Sequence, residues 1–260
     1  MAGNSTTAAP YQQFAEAYDQ MGADRHSRLM ADYTRRLLKR LGHQPADGLD
    51  LCCGTGTAIA CLLDQGISMS GLDRSSAMLR EAKRKLEGRG VRLYRQSLPK
   101  FEIKQRGKRR VRQYDLVTSF YDSLNYLLTE RDLTMAFRTV YRHLRPGGLF
   151  IFDMNTPNAL KTVWGAQTWA VSQKNVAWIF RNEFFHDTQS ANCYVTIFVK
   201  EGRLWRRIDE VHTERGYSNA AIRRMLNKVG FRIRGFYRCF TYEPVTRTTN
   251  RICVIAQRKA

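Results

Sequence analysis

A short apolar strand running into two glycines one residue apart, LDLCCGTGT from Leu49 to Thr57, is the densest concentration of usable chemistry in the sequence. Asp50 lies inside the strand, Gly54 and Gly56 supply the turn, and AIACLLDQG follows with apolar residues at helical spacing. Such a turn needs glycine, because a residue without Cβ lets backbone approach a ligand closely and takes positive φ at little cost. A second acid, Asp73 in ISMSGLDRS, comes seventeen positions after Gly56, where the next strand should end. In doubly wound sheets an acid at that point accepts hydrogen bonds from ribose hydroxyls. Asp73 could instead cap the helix predicted by SSAMLREAKRKL. The turn lacks the third glycine of GxGxxG, which seats a pyrophosphate on a helix N-terminus, and this argues against a nicotinamide dinucleotide.

Groups able to move a proton are His186, His212 and Glu214 in a strand-like region, with Asp122 and Tyr126 in the block SFYDSLNYL. His212 and Glu214 are two apart and therefore share one face of a strand, turned either into a cleft or into solvent. His26, His43 and His143 read as surface or helix-packing residues. The six cysteines, at 52, 53, 61, 193, 239 and 253, form neither CxxC nor any other metal-ligand spacing. They read as reduced thiols, and no metal is expected.

Five blocks, in this order, carry a family resemblance: YQQFAEAYDQM at 11–21, LDLCCGTGT, GLDRSSAML, YDLVTSFYDSLNYL at 114–127 and LRPGGLFIFDMNTP at 144–157. The chain resembles the class I S-adenosylmethionine-dependent methyltransferases, and specifically the bacterial small-molecule type that includes sugar-amine N-methyltransferases. The resemblance implies S-adenosylmethionine as cofactor and S-adenosylhomocysteine as product. It implies methyl transfer to an amine or hydroxyl of a small molecule by in-line displacement, with positioning as the main contribution of the protein. An amine acceptor must be neutral when it attacks, whereas a hydroxyl needs a base.

By the same resemblance Asp50 serves the ammonium of the cofactor, together with Cys52, Gly54, Thr55 and Gly56 of the turn, and Asp73 serves the ribose with Arg74 over the adenine. Gln96 and Ser97 follow the third strand, VRLYR, where relatives set an acid or amide against the adenine amine. Ser97 stands where aspartate is usual, a departure that leaves this contact open. Ser119 to Asp122, including Phe120 and Tyr121, are expected to border the sulfonium, and Tyr126 lies where relatives set an aromatic or histidine near the acceptor. Tyr18 and Asp19 belong to a segment that covers the substrate, with the Tyr18 hydroxyl reaching the methionine carboxylate or the acceptor, or merely packing. Tyr18, Tyr126 and His212 are thus the catalytic candidates, while Phe14 and Met21 share the face of Tyr18 and read as core.

The 260 residues carry 43 Lys and Arg against 23 Asp and Glu, a net charge of +20. Such a field attracts phosphates and other anions, so either a polyanion such as RNA is a partner or the charge is simply solvated. An anionic small acceptor would be drawn in the same way. The densest run, KQRGKRRVR at 104–112, has no interleaved aromatic residue and so lacks the stacking platform of a single-strand binder. An RNA methyltransferase and a cofactor-holding regulatory module without turnover are the rival readings. MAGNSTTAAP has neither the charged start nor the apolar stretch of a signal peptide, and no apolar run approaches the roughly 18 residues of a membrane span. A cytoplasmic protein with no membrane partner, monomer or homodimer, is expected.

Helices over about 11–21 and 26–41 precede alternating strands and helices up to Asn155, which implies an α/β fold with a parallel sheet covered on both faces. The helix over about 130–144 should stop before Pro146-Gly147-Gly148, with strand GLFIFDM beyond. After Pro157, AVSQKNVAWIF, RNEFFHD, ANCYVTIFVK and RLWRRIDEVHTE alternate with period two and predict an antiparallel insertion. SNAAIRRMLNKVG returns to helix, and FRIRGFYRCF and RICVIAQRK supply two last strands, the final one antiparallel by the resemblance. The expectation is a doubly wound, Rossmann-like seven-stranded sheet with an inserted antiparallel β lid. Residues 1–156 form the cofactor-binding core with its N-terminal cover, 157–217 the lid, and 218–260 the helix and strands that complete the core sheet.

Overall fold

The computed structural model describes Tyr11 and residues 15–105, 107 and 109–260. Expectations for the first ten residues, Phe14, Arg106 and Lys108 fall outside the described residues. The parent domain begins with α1 (Ala15–Tyr18), α2 (Asp24–Leu41), β1 (Asp47–Leu51), α3 (Thr57–Asp64), β2 (Ser68–Asp73), α4 (Ser76–Lys85) and β3 (Arg92–Arg95). It continues with β4 (Tyr114–Ser119), a 3-10 turn at Ser123–Tyr126, α5 (Glu130–His143), β5 (Leu144–Asn155) and the short α6 (Pro157–Ala159). A second sheet follows as β6 (Thr168–Ser172), β7 (Val176–Phe185), β8 (Ser190–Glu201) and β9 (Leu204–Arg215), before α7 (Asn219–Val229), β10 (Phe231–Arg238) and β11 (Arg251–Arg258).

The seven-stranded sheet has the order β10-β11-β5-β4-β1-β2-β3. Its strands are parallel except β11, which runs antiparallel to both β5 and β10. The predicted doubly wound sheet is therefore present. Leu49, Leu51, Leu116, Val117, Phe150, Ile151 and Phe152 are all buried, as strands covered on both faces require. On one face Phe150, Phe152 and Val254 pack with Phe137 of α5 and Leu226 of α7. On the other, Leu116, Ile151 and Ile255 pack with Tyr33 and Leu37 of α2 and with Ile59 of α3. Strand order reverses between β1 and β4, and the crevice outside their carboxyl ends is where such sheets take ligands.

Three boundaries differ from the sequence expectation. Among the described residues the first helix is only Ala15–Tyr18, and the second begins at Asp24. Arg145 to Gly148 does not separate α5 from β5: the strand starts at Leu144, and the Pro-Gly-Gly stretch is absorbed as a bulge between the Tyr114↔Leu144 and Leu116↔Leu149 pairs. In the insertion, AVSQKNVAWIF contains the hairpin turn between β6 and β7, while its last residues join RNEFF in one continuous strand. Alternation alone could not distinguish a break from a continuation there, because both halves keep the same period.

The second sheet is antiparallel throughout, in the order β6-β7-β8-β9. Its inner face carries Val176, Trp178, Cys193, Val195, Ile197 and Ile208, and packs against Ala17, Tyr18 and Met21 of the N-terminal segment. The insertion leaves and rejoins the core at one spot, since a Cβ on Gly216 would lie 2.7 Å from Pro157 Cα. The Gly216 N–H also donates to the Gln189 carbonyl at 2.8 Å, which fixes its backbone. Gly216→Ala therefore forces backbone apart and is expected to cost about 1–3 kcal/mol, by the measure of overpacked interiors. Thermal unfolding should record a fall of roughly 2–10 °C for a chain of this size.

Candidate active site

A cavity of about 390 Å³ opens at the carboxyl ends of β1 and β4. Asp50, Cys52, Gly54, Thr55, Asp73, Arg74, Gln96, Ser97, Phe120 and Tyr121, all predicted, line it together with Tyr18 and Tyr126. Gly56 and Ser119, also predicted, do not. Gly56, with φ +78°, faces α4, where a Cβ would sit 2.8 Å from Leu86 Cδ1 and 3.2 Å from Ala82 Cβ, so its lack of side chain serves helix packing. Ser119 is fully buried at the end of β4. Gly54 does have open space beside it, with φ +53°.

The two acids of this cavity are buried in different ways. Asp50 is 3% exposed and, among the described residues, accepts one side-chain hydrogen bond, from Thr118 Oγ1 at 2.6 Å. Burial pushes its carboxyl up to about 7, with the Thr118 hydroxyl pulling the other way. A buried carboxylate with no cation beside it is costly, so this position suits a ligand that brings a positive charge. Asp73 accepts from the backbone N–H of Gly54 at 3.0 Å and of Ser75 at 2.8 Å, tying the first turn to the second. Burial raises its pKa and those N–H donors offset part of the rise. The cap of α4 is Ser75, whose hydroxyl accepts from Met78 N, so the Asp73 carboxylate keeps acceptor capacity toward the cavity. The Gln96 amide is closed on the loop beyond it, accepting from Glu102 N at 2.8 Å and donating to Glu102 O at 3.0 Å.

The N-terminal segment straps this cavity. Asp19 accepts from Thr55 Oγ1 at 2.8 Å and from Lys85 Nζ at 2.5 Å, and the same ammonium donates to Thr57 at 2.6 Å. Tyr11 bridges the two sheets through its backbone, its N–H donating to Glu210 Oε2 at 2.7 Å and its carbonyl accepting from Ser75 Oγ at 2.7 Å. Sequence reasoning overlooked Tyr11 and Glu210; the signal available was that Glu210, like Glu214, lies two residues from His212 on the same strand face.

A second cavity of about 410 Å³ lies between the sheets. Tyr11, Tyr18, Tyr121 and Tyr126 line both cavities and mark their junction. Tyr126 Oη is 2.8 Å from Tyr11 Oη and 2.7 Å from His212 Nδ1, while His212 Nε2 is 3.2 Å from Glu210 Oε2. In the tautomer with the proton on Nε2, His212 donates to Glu210, Nδ1 accepts from the Tyr126 hydroxyl, and Tyr11 donates to Tyr126. Burial drives the pKa of both phenols well above the usual value, so both remain protonated donors. His186 lies outside both cavities, its ring against Phe184.

Glu214 and Asp122 also reach the second cavity, so Asp122, expected with Ser119 to Tyr121 beside the sulfonium, lines this cavity and not the first. Burial and the neighbouring Asp122 carboxyl push Glu214 well above the usual carboxylate range, against the hydrogen bond it accepts from Asn155 Nδ2 at 2.9 Å. Asp122 pairs with Arg251 at 2.7 Å, and Arg251 pairs in turn with Asp153. Asp153, fully buried, also accepts from the Tyr121 N–H at 2.7 Å and lies 3.3 Å from His26 Nε2. Burial alone would raise its pKa, but Arg251 and His26 together hold it below the usual value. The His26 ring stacks on Tyr121 at 4.5 Å, so His26 is part of this scaffold and not a surface residue. Tyr121 and Asp122 both take left-handed backbone, φ +57° and +53°, a strained pair of the kind found where a loop must aim side chains.

Comparison with known proteins agrees with this geometry. Residues 49–148 match the model of a methyltransferase domain. A crystal structure of an S-adenosylmethionine-dependent methyltransferase from Clostridium acetobutylicum ATCC 824 is 30% identical, covers 95% of this chain and 98% of its own, and superposes with a TM-score of 0.83. A putative methyltransferase, YqeM of Bacillus subtilis strain 168, is 28% identical over 95% of this chain and 97% of its own length. A dTDP-3-amino-3,6-dideoxy-alpha-D-glucopyranose N,N-dimethyltransferase of Streptomyces fradiae is 29% identical over 59% of each chain. The chain belongs to the S-adenosylmethionine-dependent methyltransferases. It is an enzyme whose cofactor is S-adenosylmethionine, and the uncompensated Asp50 and the acceptor capacity of Asp73 fit the ammonium and ribose of that molecule. Among the described residues no helix is long and apolar enough to cross a membrane.

Asp50 carries a linkage consequence. Its folded pKa lies above the unfolded value of about 3.9, so folding takes up a proton between pH 4 and 7, and the ligand-free protein loses stability as pH rises through that window. Asp50→Asn keeps the acceptor for Thr118 and removes this slope. Chemical denaturation without cofactor should find the variant more stable than the parent by about 2–4 kcal/mol at pH 7.5 and nearly equal to it at pH 4.5.

Proposed function

We propose that this chain methylates an amine nitrogen of a small molecule held in the cavity between the two sheets. The observation that carries this reading is the junction of the cavities at four tyrosines, with Glu214 and Asp122 on the acceptor side. The name of the Streptomyces fradiae relative, an amino-sugar N,N-dimethyltransferase, supports it. When bound, S-adenosylmethionine supplies a methyl group already activated by its sulfonium.

In this reading Asp50 holds the ammonium with the backbone of the Gly54 turn, and Asp73 accepts from the ribose hydroxyls. Cys52, Thr55 and Tyr18 wall the amino-acid end, Arg74 and Ser97 the adenine end, and Phe120 and Tyr121 the sulfur. Gly56, Gln96 and Ser119 act through the packing of α3, the loop after β3 and the end of β4. Tyr126 meets the acceptor, with its hydroxyl direction fixed by His212, and Glu210 fixes the tautomer of His212. An amine arrives as an ammonium ion and must lose a proton before it attacks. Glu214 and Asp122 lie together at this end of the cavity, joined by a hydrogen bond, and receive that proton as a pair. Fixing the neutral nitrogen about 3 Å from the methyl group in a closed site contributes on the order of 7–11 kcal/mol through lost encounter entropy alone.

Asp73→Ala should weaken cofactor binding by about 1–3 kcal/mol, the usual cost of losing hydrogen bonds to a charged group, as titration calorimetry would report. Incubation with methyl-labelled cofactor should label small amines and leave matched alcohols unlabelled. Labelling of the alcohols alone, or of neither by an enzyme that binds cofactor, would end the amine reading. A net charge of +20 favours a second reading in which RNA is the acceptor. Its mark would be RNA binding that weakens steeply with salt, accompanied by label in the RNA.

A further inference from the structure

The inner face of the second sheet is graded along its strands. Its inward rows run from Glu214, to His212 with Asn182, to Glu210 with Phe180 and Trp169, to Ile208 with Trp178 and Val171. Successive rows are two residues apart, about 7 Å along the strand. Among the residues of these rows that line the cavity, Glu214, His212 and Asn182 lie toward the core, where Glu214 meets Asn155, and Phe180, Trp169 and Trp178 lie away from it, while Phe184 in the Glu214 row does not line it. Val163, Trp164, Trp169, Trp178 and Phe180 all line the cavity. Trp169 and Val171, on edge strand β6, remain 37% and 40% exposed although both face inward.

The charges of the cavity are equally one-sided. Asp122 and Glu214 face it, and among the described lining residues Arg251 is the one arginine or lysine. Both partners of Arg251, Asp122 and Asp153, are carboxylates, so its charge is already matched. His212 is engaged by Tyr126 and Glu210. A diphosphate entering here would meet Asp122 and Glu214 with no unmatched cation among the described lining residues to offset its charge, and burying an unpaired charge is costly. The net charge of +20 acts from a distance through solvent and is screened beyond about 8–10 Å, whereas the groups lining the cavity act at contact. The anionic acceptor that net charge alone suggests is therefore opposed by the local field.

We propose that the acceptor is an amine on a flat apolar or aromatic body without phosphate, its nitrogen at Glu214 and Asp122 and its body against Trp178, Phe180 and Trp169. This sets the chain apart from the dTDP-sugar specificity in the name of its Streptomyces fradiae relative. It rests on the reading of the second cavity as the acceptor site, and can fail separately from it.

The test is calorimetric binding to the full chain saturated with S-adenosylhomocysteine, with three probes: tryptamine, ethanolamine and thymidine diphosphate. Tryptamine should bind at least tenfold more tightly than ethanolamine, and thymidine diphosphate should neither bind measurably nor displace it. Trp178→Ala should weaken tryptamine at least tenfold while leaving the affinity for S-adenosylhomocysteine unchanged. Trp169→Ala, at a half-exposed position, provides the same readout with less risk to folding. Equal binding of the two amines, displacement of tryptamine by thymidine diphosphate, or indifference of tryptamine to both tryptophan substitutions would overturn the proposal. Tight tryptamine binding without methyl transfer to any amine would instead leave the cavity chemistry standing and remove the catalytic reading.

Discussion

One buried carboxylate holds the working geometry together. Asp153, at the carboxyl end of β5, gathers the backbone of Tyr121 from the loop after β4, the guanidinium of Arg251 from the start of β11 and the imidazole of His26 from α2. A buried charge is tolerable only when its lone pairs are met, and here three separate elements must converge to meet them. That convergence keeps Tyr121 and Asp122 in left-handed backbone, which aims Tyr121 at both cavities and Asp122 at the second. Asn125 performs the matching task one turn later, donating to the carbonyls of Asn155 and Arg215 and thus pinning the end of β9 to the end of β5.

The two sheets divide the chemistry. The parallel sheet supplies two acids, Asp50 and Asp73, whose charge burial opposes. The antiparallel sheet supplies His212, Glu210 and Glu214 along one face of β9, within reach of Tyr126 and Asn155 of the core. Tyr11 joins them at the level of backbone, with one peptide group bonded toward each sheet, so the strap closes over both cavities together. Asp19 repeats the device lower down by clasping the glycine turn through Thr55 and Lys85.

The cofactor half could be read from the residues because its signals are local. A strand, a glycine turn and an acid at fixed separation specify a crevice whatever the rest of the chain does, and eleven of the residues expected to bind there, Tyr18 among them, line it. Gly56 illustrates the limit, since positive φ was foreseeable but the reason for the missing side chain, the approach of Leu86 and Ala82 from α4, is a tertiary contact. Asp153, Arg251 and Tyr11 escaped notice for the same reason: their partners lie 98 and 199 positions away, and nothing near them in the chain announces a network. The Pro-Gly-Gly stretch before GLFIFDM misled because a stop signal for one element is also the composition of a bulge in the next. His212 and Glu214 could be assigned to one face, but whether that face looked inward depended on how the sheet docks.

The close contact between Gly216 and Pro157 has a meaning beyond its steric tightness. Because the chain departs and returns through nearly the same point, the second sheet hangs from the parent fold as a pendant whose attachment crosses no strand of the seven. A change in the length or sequence of that pendant leaves the order and register of the seven strands intact, so the two sheets are free to diverge at different rates.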